Sequence, residues 1–379
     1  MEHSLVLDMG SYTTKAGYSN GKKPEHLIPS LVGNIRSKFV DKFSKDTYVG
    51  QEALETIEYL SLRKVIDHGY IHNFDDYELL LQNVFSKFGL ESLNDTCILF
   101  SEPILSPSNT RHKIIEIAFE TFDANTLNIS PATLLAIYGI GEITGTVIEI
   151  GDGITQCVPV IEGYVEKQSV RRNDFGGAEI SRYLQKLLAL AGFQFSTRKE
   201  STFVYDIKEK LCFCSLNPSK DEVRTDLKAE YVLPDGYTLA DDIDTVFIET
   251  ERFYAPEVIF NPVIMDTECP NIVSIVWDSI QACPVHQRMA LTSKIILSGG
   301  STKFENFPQR LQVELKNVAP QGARDIVKVN AIEEREFLPW MGGAYFASET
   351  MRQANINAWI TSEEWAESGI TIIQKFAQI

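Results

Sequence analysis

The sequence predicts an α/β protein built from a duplicated fold, with two lobes around a central cleft. Residues 5–18 and residues 147–164 each hold an apolar strand, a carboxylate with a glycine turn, and a returning strand. The two stretches are separated by about 140 residues, close to the length of one domain. Strand-like and helical patterns alternate elsewhere, which is typical of α/β architecture. A repeated hairpin of this kind indicates two related halves, each offering one turn to a shared ligand.

Length and charge narrow the classes of function. A chain of 379 residues is expected to hold more than one domain. Its formal net charge of -17 argues against direct binding to a nucleic-acid backbone or an anionic membrane. No apolar run approaches the length of a membrane span, and we expect no signal peptide because the N-terminus lacks a basic region. The cysteines form no C-x-x-C pair, which favours reduced thiols in a cytosolic or nuclear protein.

The first hairpin has the residue types of a phosphate and metal site. Backbone N–H groups of a tight turn can bind one anion together, and hydroxyl and ammonium groups would strengthen that binding. Asp8 follows a buried strand and could hold a hydrated magnesium ion. The groups available to an anion are Gly10, Ser11, Thr13 and Lys15. The spacing is not that of a Walker A loop, and by itself this stretch is better explained as an ordinary β-hairpin with a polar turn.

The first half continues with alternating elements. Residues 34–47 are polar with scattered apolar positions and predict an exposed loop, either mobile or in contact with a partner. Residues 75–88 have apolar side chains at helical spacing, with aspartates near the start. Residues 97–100 predict a short buried strand, and a helix capped by Ser108 or Asn109 follows it.

The second hairpin repeats the design of the first. A buried strand over 147–150 leads into the turn Gly151-Asp152-Gly153, and residues 154–160 return as a second strand. Either hairpin alone is a weak signal, whereas two hairpins in this order are a stronger one. Helical patterns follow over 177–191 and 202–214.

A third turn predicts a further contact with the ligand. The strand 294–297 runs into Ser298-Gly299-Gly300-Ser301, and a helix capped near Asn306 follows. Small residues let a base or a ribose approach the backbone, and a helix N-terminus favours an anion. One more helix is predicted near 344–351.

Taken in order, these motifs resemble those of the actin family. The resemblance extends from Leu5 to near the C-terminus with few changes in length. Its divergence indicates an actin-related protein or a divergent actin rather than a conventional one. The family-like stretches after the first hairpin are TYVGQEA at 47–53, DHGYIHNFDD at 67–76, SEP at 101–103, FETFDAN at 119–125, IGDGITQCVPVIEGY at 150–164, DIKEKLCF at 206–213, ERFYAPEVIFNP at 251–262 and LSGGSTKF at 297–304, followed by PWMGG and WITSEEWAESG.

The resemblance implies the ATPase fold that actin shares with heat-shock chaperones and sugar kinases. In that fold two lobes, or four subdomains, surround a cleft that binds ATP or ADP together with Mg²⁺ or Ca²⁺. The implied subdomains are 1–29, 65–139 and 338–379 for subdomain 1, 30–64 for subdomain 2, 140–175 and 268–337 for subdomain 3, and 176–267 for subdomain 4.

Matching positions then imply the site residues. Asp8 and Glu149 would hold the metal through water. The implied nucleotide contacts are Gly10, Ser11, Tyr12, Thr13, Lys15, Gly151, Asp152, Gly153, Lys208, Glu209, Gly299, Gly300, Ser301 and Phe304.

The sequence departs from actin at the place where water would be activated. Counting from Phe122 or Tyr138 puts Ala132 where actin has the glutamine that positions the attacking water, and an alignment shift would put Pro131 there. Gln156 stands where actin has a histidine. A methyl group cannot orient water, and an amide cannot accept a proton as imidazole does. We therefore expect nucleotide binding with very slow or absent hydrolysis.

Other departures surround the same cleft. Glu149 replaces an aspartate near the metal, and with Gln156 it could compensate in part for the lost water-positioning group. Tyr12 stands where the family has a glycine beside the γ-phosphate. Tyr205 replaces an arginine, and Glu336 replaces a lysine near the adenine.

Four functions are compatible with these observations. The favoured one is a structural, nucleotide-bound subunit of a dynein-linked, filament-associated or ciliary complex in the cytoplasm, with protein partners that include actin-like subunits. The alternatives are a subunit of a nuclear chromatin-remodelling complex, a self-polymerising actin ATPase and a small-molecule kinase. The absence of a basic nuclear-import run and of long insertions favours the first. The departures in residues 34–47, in the segment 263–271 and around 238–250 favour a dedicated partner over ordinary polymerisation.

Overall fold

A computed structural model describes residues 3–234, 236–369, 371–372 and 375. Its strands are β1 (Leu5–Met9), β2 (Thr13–Tyr18), β3 (His26–Pro29), β4 (Leu31–Ile35), β5 (Thr47–Val49), β6 (Leu60–Lys64), β7 (Ile66–Asp67), β8 (Tyr70–Ile71), β9 (Cys97–Glu102), β10 (Thr126–Pro131), β11 (Gly145–Ile150), β12 (Thr155–Ile161), β13 (Tyr164–Val165), β14 (Arg171–Asn173), β15 (Ala229–Val232), β16 (Thr245–Ile248), β17 (Ile295–Ser298), β18 (Val329–Asn330) and β19 (Ile360–Thr361). Its α-helices are α1 (Gln51–Glu55), α2 (Phe74–Lys87), α3 (Ser108–Glu116), α4 (Ala132–Gly139), α5 (Gly177–Leu190), α6 (Arg198–Leu211), α7 (Pro218–Asp221), α8 (Glu251–Glu257), α9 (Ile272–Ala282), α10 (Val285–Ser293), α11 (Phe307–Val318), α12 (Leu338–Phe346), α13 (Glu349–Ala354) and α14 (Ser362–Ser368).

Two central sheets share one topology, which confirms the predicted duplication. The first sheet has the order β19-β10-β9-β1-β2-β3, with β1 antiparallel to β2 and parallel to β9. The second has the order β13-β12-β11-β17-β18, with β11 antiparallel to β12 and parallel to β17. β1 and β11 therefore occupy equivalent places. Asp8 and Glu149 each lie one residue before the end of these strands, at the sheet edge where α/β proteins bind ligands.

Each lobe has its own apolar core. In the first lobe, both faces of β1 are buried, and α2 and α3 pack against this sheet with side chains such as Leu80 and Ile115. In the second lobe, α5, α6 and α11 supply Leu184, Ile207 and Leu311 to a larger core. A third cluster lies between the lobes and joins α4, β11 and the first residue of α12. All six cysteines are free thiols, as predicted.

Two smaller sheets extend the lobes. The sheet β5-β4-β6 lies inside the predicted subdomain 2, and the pair β15-β16 lies inside the predicted subdomain 4. The subdomain boundaries themselves stay predictions. Residues 370, 373–374 and 376–379 of the predicted subdomain 1 lie outside the described residues. Within the described ranges, no helix combines the length and apolarity needed to cross a membrane.

One predicted helix start was wrong, and the predicted starts near residues 108 and 306 were confirmed in position but not in their capping side chains. α6 begins at Arg198 rather than near residue 202, because Thr197 and Glu200 form a capping box that starts the helix earlier. Asn306 precedes α11 in a left-handed conformation (φ 64), and its side chain makes no capping hydrogen bond. α3 begins at Ser108, but the residue before it is Pro107 and no side chain caps the helix.

Two other segments also differ from expectation. The helix predicted near 344–351 is divided between α12 and α13, because Ser348 between them is extended. The predicted exposed loop 34–47 is partly ordered, since residues Ser37–Lys42 form a 3₁₀ helix. Phe39 and Phe43 each place their rings 5.1 Å from the ring of Tyr59. These aromatic contacts give the segment a small core of its own.

α4 and α12 cross so closely that their backbones are in contact, at the place where the chain passes between the lobes. α4 leads into β11 of the second lobe, and α12 returns to the first, where Trp340 Nε1 donates to the Val6 carbonyl at 3.0 Å. A Cβ on Gly342 would lie 1.7 Å from the carbonyl oxygen of Leu135, and one on Gly139 would lie 2.9 Å from that of Leu338. No side chain fits at Gly342 or Gly139 without moving the helices.

Replacing Gly342 by alanine is therefore expected to destabilise the protein. The new methyl group would force the two helices apart, and we expect the free energy of unfolding to fall by about 3 kcal/mol. Urea unfolding measures the change. Gly322→Ala is the matched control, because a Cβ there meets no atom within 4 Å and the effect should stay within about 0.5 kcal/mol. Equal stability of the two variants would contradict the packing described for α4 and α12.

Candidate nucleotide cleft

The turn between β1 and β2 is built around the carboxylate of Asp8. Asp8 is buried, and its Oδ1 accepts a hydrogen bond from Ser101 Oγ at 2.5 Å while its Oδ2 accepts one from Lys15 Nζ at 2.8 Å. Ser101 comes from the neighbouring parallel strand β9, so two strand ends hold the carboxylate. The backbone N–H of Gly69 donates to Ser11 Oγ at 3.4 Å. The first turn is thus held by the ion pair between Lys15 and Asp8 and by the loop that contains Gly69.

The second turn lies directly opposite the first. A Cβ on Gly153 would lie 2.9 Å from His68 and 3.0 Å from Ser11 Oγ, so the two predicted turns meet as the duplication requires. The start of α5 supports the second turn, because Gly177 N donates to the Gly151 carbonyl at 2.9 Å. Ser301 Oγ also donates to that carbonyl at 2.8 Å. The structure therefore brings the second and third predicted turns together as well.

Three predicted nucleotide residues and one unpredicted glycine converge beside the second turn. A Cβ on Gly177 would lie 2.7 Å from Ser301 Oγ, 3.2 Å from Lys208 Nζ and 3.3 Å from Asp152 Oδ1. Lys208 is buried and donates to the Gly177 carbonyl at 3.0 Å, and burial lowers the pKa of its ammonium group. Glu209, next along α6, is exposed. Only a residue without a side chain leaves room for these groups to share one space.

The third turn needs its first glycine. Gly299 has φ 91, and a Cβ there would lie 2.3 Å from the Ile150 carbonyl oxygen, so any side chain would clash with β11. Arg335, which the sequence did not single out, holds the turn by donating to Thr302 Oγ1 at 3.1 Å and to the Thr302 carbonyl at 3.0 Å. Gly300 is exposed, and Phe304 is largely buried in the core of the second lobe.

The place predicted for adenine keeps a positive charge. Glu336 was interpreted as the loss of a lysine, but Lys303 Nζ lies 2.6 Å from Glu336 Oε1 and supplies an ammonium group from the neighbouring turn. The carboxylate and the ammonium are adjacent, so the local charge is balanced rather than inverted. The sequence contained both residues but not their contact, because 33 positions separate them.

The side-chain oxygen atoms near the predicted metal position suit a hard cation bound through water. Burial raises the pKa of Glu149 to about 7, and the negative charge of Asp8 adds to this shift. Gln156 is buried, its Nε2 donates to Glu149 Oε2 at 2.5 Å, and its Oε1 has no hydrogen-bond partner. The atoms that could face a metal ion here are the carboxylate oxygens of Asp8 and Glu149 and the Oε1 atom of Gln156. Mg²⁺ and Ca²⁺ prefer oxygen ligands of this kind. No group of three or more His, Cys, Asp or Glu side chains is suitably placed in the described part of the chain, so waters would complete the coordination.

Ala132 takes the first position of α4, immediately after Pro131. The register places Ser130 beside Ser101, and Ser101 beside Asp8, so Ala132 lies just beyond the sheet edge that bears the Asp8 carboxylate. Its methyl group is buried and offers no hydrogen bond. Pro131 occupies the N-cap position, so α4 begins at Ala132.

Contacts across the cleft were not predicted from the sequence. Lys64 of β6 reaches Asp152 of the second turn at 2.9 Å. The Arg172 guanidinium donates to the His68 carbonyl at 2.6 Å and lies 4.7 Å from the ring centre of Tyr70. These partners are about a hundred residues apart, and no sequence pattern signals such pairs. Together they hold the lobes closed around the three turns.

The duplicated sheets and the facing turns define a two-lobed α/β protein of the ATPase class that includes actin, heat-shock chaperones and sugar kinases. The sequence profile of the Actin family matches residues 1–378. An actin-like protein of Neurospora crassa is 35% identical over 384 aligned residues, covering 98% of this chain and 97% of that protein. The chain belongs to the actin family. Members of this family generally bind a nucleotide and a divalent cation.

The raised pKa of Glu149 leads to a prediction about stability and pH. Burial moves this pKa from 4.5 to about 7, so between about pH 4.5 and 7 this carboxyl group holds its proton in the folded chain and loses it in the unfolded chain. The contribution of Glu149 to the free energy of unfolding should therefore fall as the pH rises through this range. Glu149→Gln removes that contribution, and the variant should gain stability relative to wild type as the pH rises.

Urea unfolding of nucleotide-free protein in a chelator, repeated across this pH range, measures the effect. Glu91→Gln is the control, because Glu91 is exposed and should retain the pH dependence of the wild type. If Glu149→Gln and Glu91→Gln follow the same pH dependence, the environment assigned to Glu149 is incorrect.

Proposed function

We propose that this chain is an actin-related, ATP- or ADP-binding structural subunit of a larger cytoskeletal complex, dynein-linked, filament-associated or ciliary, in the cytoplasm. In this proposal the nucleotide and its Mg²⁺ or Ca²⁺ hold the two lobes together, and hydrolysis is very slow or absent. The observation that supports it most directly is the combination of two facing turns with a methyl group, Ala132, at the edge where water would be positioned.

Nucleotide binding is supported by the groups that converge in the cleft. The first turn offers backbone N–H groups, the hydroxyl groups of Ser11 and Thr13, and the ammonium group of Lys15, all suited to phosphate oxygens. Lys208 and the start of α5 lie at the second turn and offer further donors to an anion. A divalent cation would neutralise phosphate charge there. Asp8 and Glu149 lie where they would orient its waters.

Slow hydrolysis is supported by the side chains that remain near that water. Ala132 has no polar atom, and the amide of Gln156 is already bonded to Glu149. Neither group can both orient a water molecule and accept its proton. Loss of water positioning alone lowers a rate by orders of magnitude, so a bound nucleotide would act as a structural ligand.

A role as a subunit is supported by the outer surface. Val285 and Met289 lie one helical turn apart on α10 and are 74% and 65% exposed, and neighbouring exposed apolar side chains mark protein contacts. Val263, in another segment of the second lobe, is 70% exposed. The 3₁₀ helix Ser37–Lys42 projects Lys38 and Lys42 from a chain with a net charge of -17. An acidic neighbouring surface would complement this segment.

Nucleotide content and single-turnover hydrolysis test the proposal. We expect the purified protein to retain ATP or ADP, measured after acid extraction, and to release phosphate far more slowly than conventional actin. Ala132→Gln should raise the single-turnover rate by at least about tenfold, because it restores an amide that can orient water. Ala132→Met has similar size without the amide and should not raise the rate.

Two outcomes would overturn parts of this proposal separately. Protein that neither retains nor binds nucleotide would contradict nucleotide binding. Wild-type phosphate release at the rate of conventional actin, measured in the same assay, would contradict slow hydrolysis while leaving binding intact.

Affinity purification from native cells tests the complex. We expect dynein-linked, filament-associated or axonemal proteins to copurify with the chain. Copurification of histone-linked ATPases would instead indicate a chromatin-remodelling subunit. Sedimentation with magnesium and ATP adds a second measurement: we expect the isolated chain to stay in the supernatant, and a pellet of the chain alone would indicate a self-polymerising actin.

A further inference from the structure

Two tyrosines from opposite lobes stack against each other beside the cleft. Tyr12 lies at the tip of the β1–β2 turn in the first lobe, and Tyr205 lies on α6 in the second. Their ring centres are 5.1 Å apart and their planes differ by 2°. Tyr12 is 45% exposed, which places the pair on the solvent side of the turn. We call this pair the tyrosine clasp.

The second lobe holds Tyr205 through groups of the candidate nucleotide site. Lys208 Nζ lies 4.3 Å from the centre of the Tyr205 ring, on a side chain that is also anchored to the Gly177 carbonyl. Burial raises the pKa of the Tyr205 hydroxyl, and the negative charge of Asp152, in the second turn, adds to this shift, so the two groups lie near each other. A cation near an aromatic face strengthens its position. Tyr205 therefore moves with the second turn and with Lys208.

The first lobe holds Tyr12 through its own turn. Tyr12 stands between Ser11 and Thr13, two residues predicted to contact phosphate. Burial raises the pKa of Tyr12 to about 12 and also raises that of Tyr205, so both rings stay neutral and stack without charge repulsion. The stacked rings join the tip of the first turn to α6 of the second lobe, so opening of the cleft separates them.

We propose that the tyrosine clasp closes the cleft over the nucleotide and must open before the nucleotide leaves. The clasp then sets the rate of nucleotide release, and it does so at the site named in the proposed function, on which this inference rests. Aromatic stacking between neutral rings is little affected by salt. The contribution of the clasp should therefore persist at high ionic strength.

Release of a fluorescent N-methylanthraniloyl nucleotide, chased with excess unlabelled ATP, tests the clasp. Tyr12→Ala and Tyr205→Leu should each release the nucleotide roughly two- to tenfold faster than wild type, as the loss of one aromatic pair implies. The double variant should be little faster than either single variant, because both remove the same contact. Tyr205→Phe keeps the ring and should release more slowly than Tyr205→Leu.

The control is Tyr164→Ala, which removes a tyrosine that is 71% exposed and lies away from the cleft; its release rate should equal that of wild type. Thermal unfolding of every variant verifies that the fold is retained, and Tyr12→Ala tests the clasp even if Tyr205→Leu does not fold. The acceleration should remain when the chase is repeated at high salt.

The outcomes separate the two proposals. Failure of wild-type protein to bind the fluorescent nucleotide would overturn the proposed function and the clasp together. Binding by wild type with equal release rates in Tyr12→Ala, Tyr205→Leu and wild type would overturn the clasp alone. Additive acceleration in the double variant would also overturn it, because the rings would then act independently.

Discussion

α4 and α12 cross so closely that a Cβ at Gly342 would lie 1.7 Å from the Leu135 carbonyl oxygen. The chain passes from one lobe to the other through these two helices, and the apolar cluster between the lobes forms around them. Their spacing therefore determines how near the two sheets come to each other. The first and second turns lie opposite each other because of that spacing, and the contacts across the cleft depend on it as well.

Within the cleft, Asp152 is the group on which both lobes converge. Its carboxylate lies 2.9 Å from Lys64 of the first lobe and 3.3 Å from the position that a side chain at Gly177 would take. A buried carboxylate is costly unless it is paired. Lys64 forms that ion pair at 2.9 Å, and the positive charge of Lys208 lies nearby. In the proposed function the same two ammonium groups would also meet a phosphate, so one set of charges would serve closure of the lobes and anion binding.

The departures from actin fall into two kinds. Lys303 and Glu336 pair at 2.6 Å, so the change at one position is compensated at the other and the local charge balance is retained. At the water-positioning edge there is no such compensation, because Ala132 has no polar atom and Gln156 is bonded to Glu149. The polar groups that would position the attacking water are lost, whereas the rest of the cleft is preserved. In the proposed function the chain therefore binds a nucleotide but hydrolyses it very slowly or not at all.

The sequence alone determined the duplicated α/β architecture, since the hydrophobic periods and the repeated carboxylate–glycine turns are local patterns. It also identified the three turns, because glycines and small hydroxyl residues are needed wherever a backbone approaches a ligand. Only the tertiary structure decided the partners of Asp152, the pairing of Lys303 with Glu336 and the stacking of Tyr12 on Tyr205. These contacts join residues from distant parts of the chain, and their distances depend on how two separately folded lobes pack, which no local pattern of residues encodes.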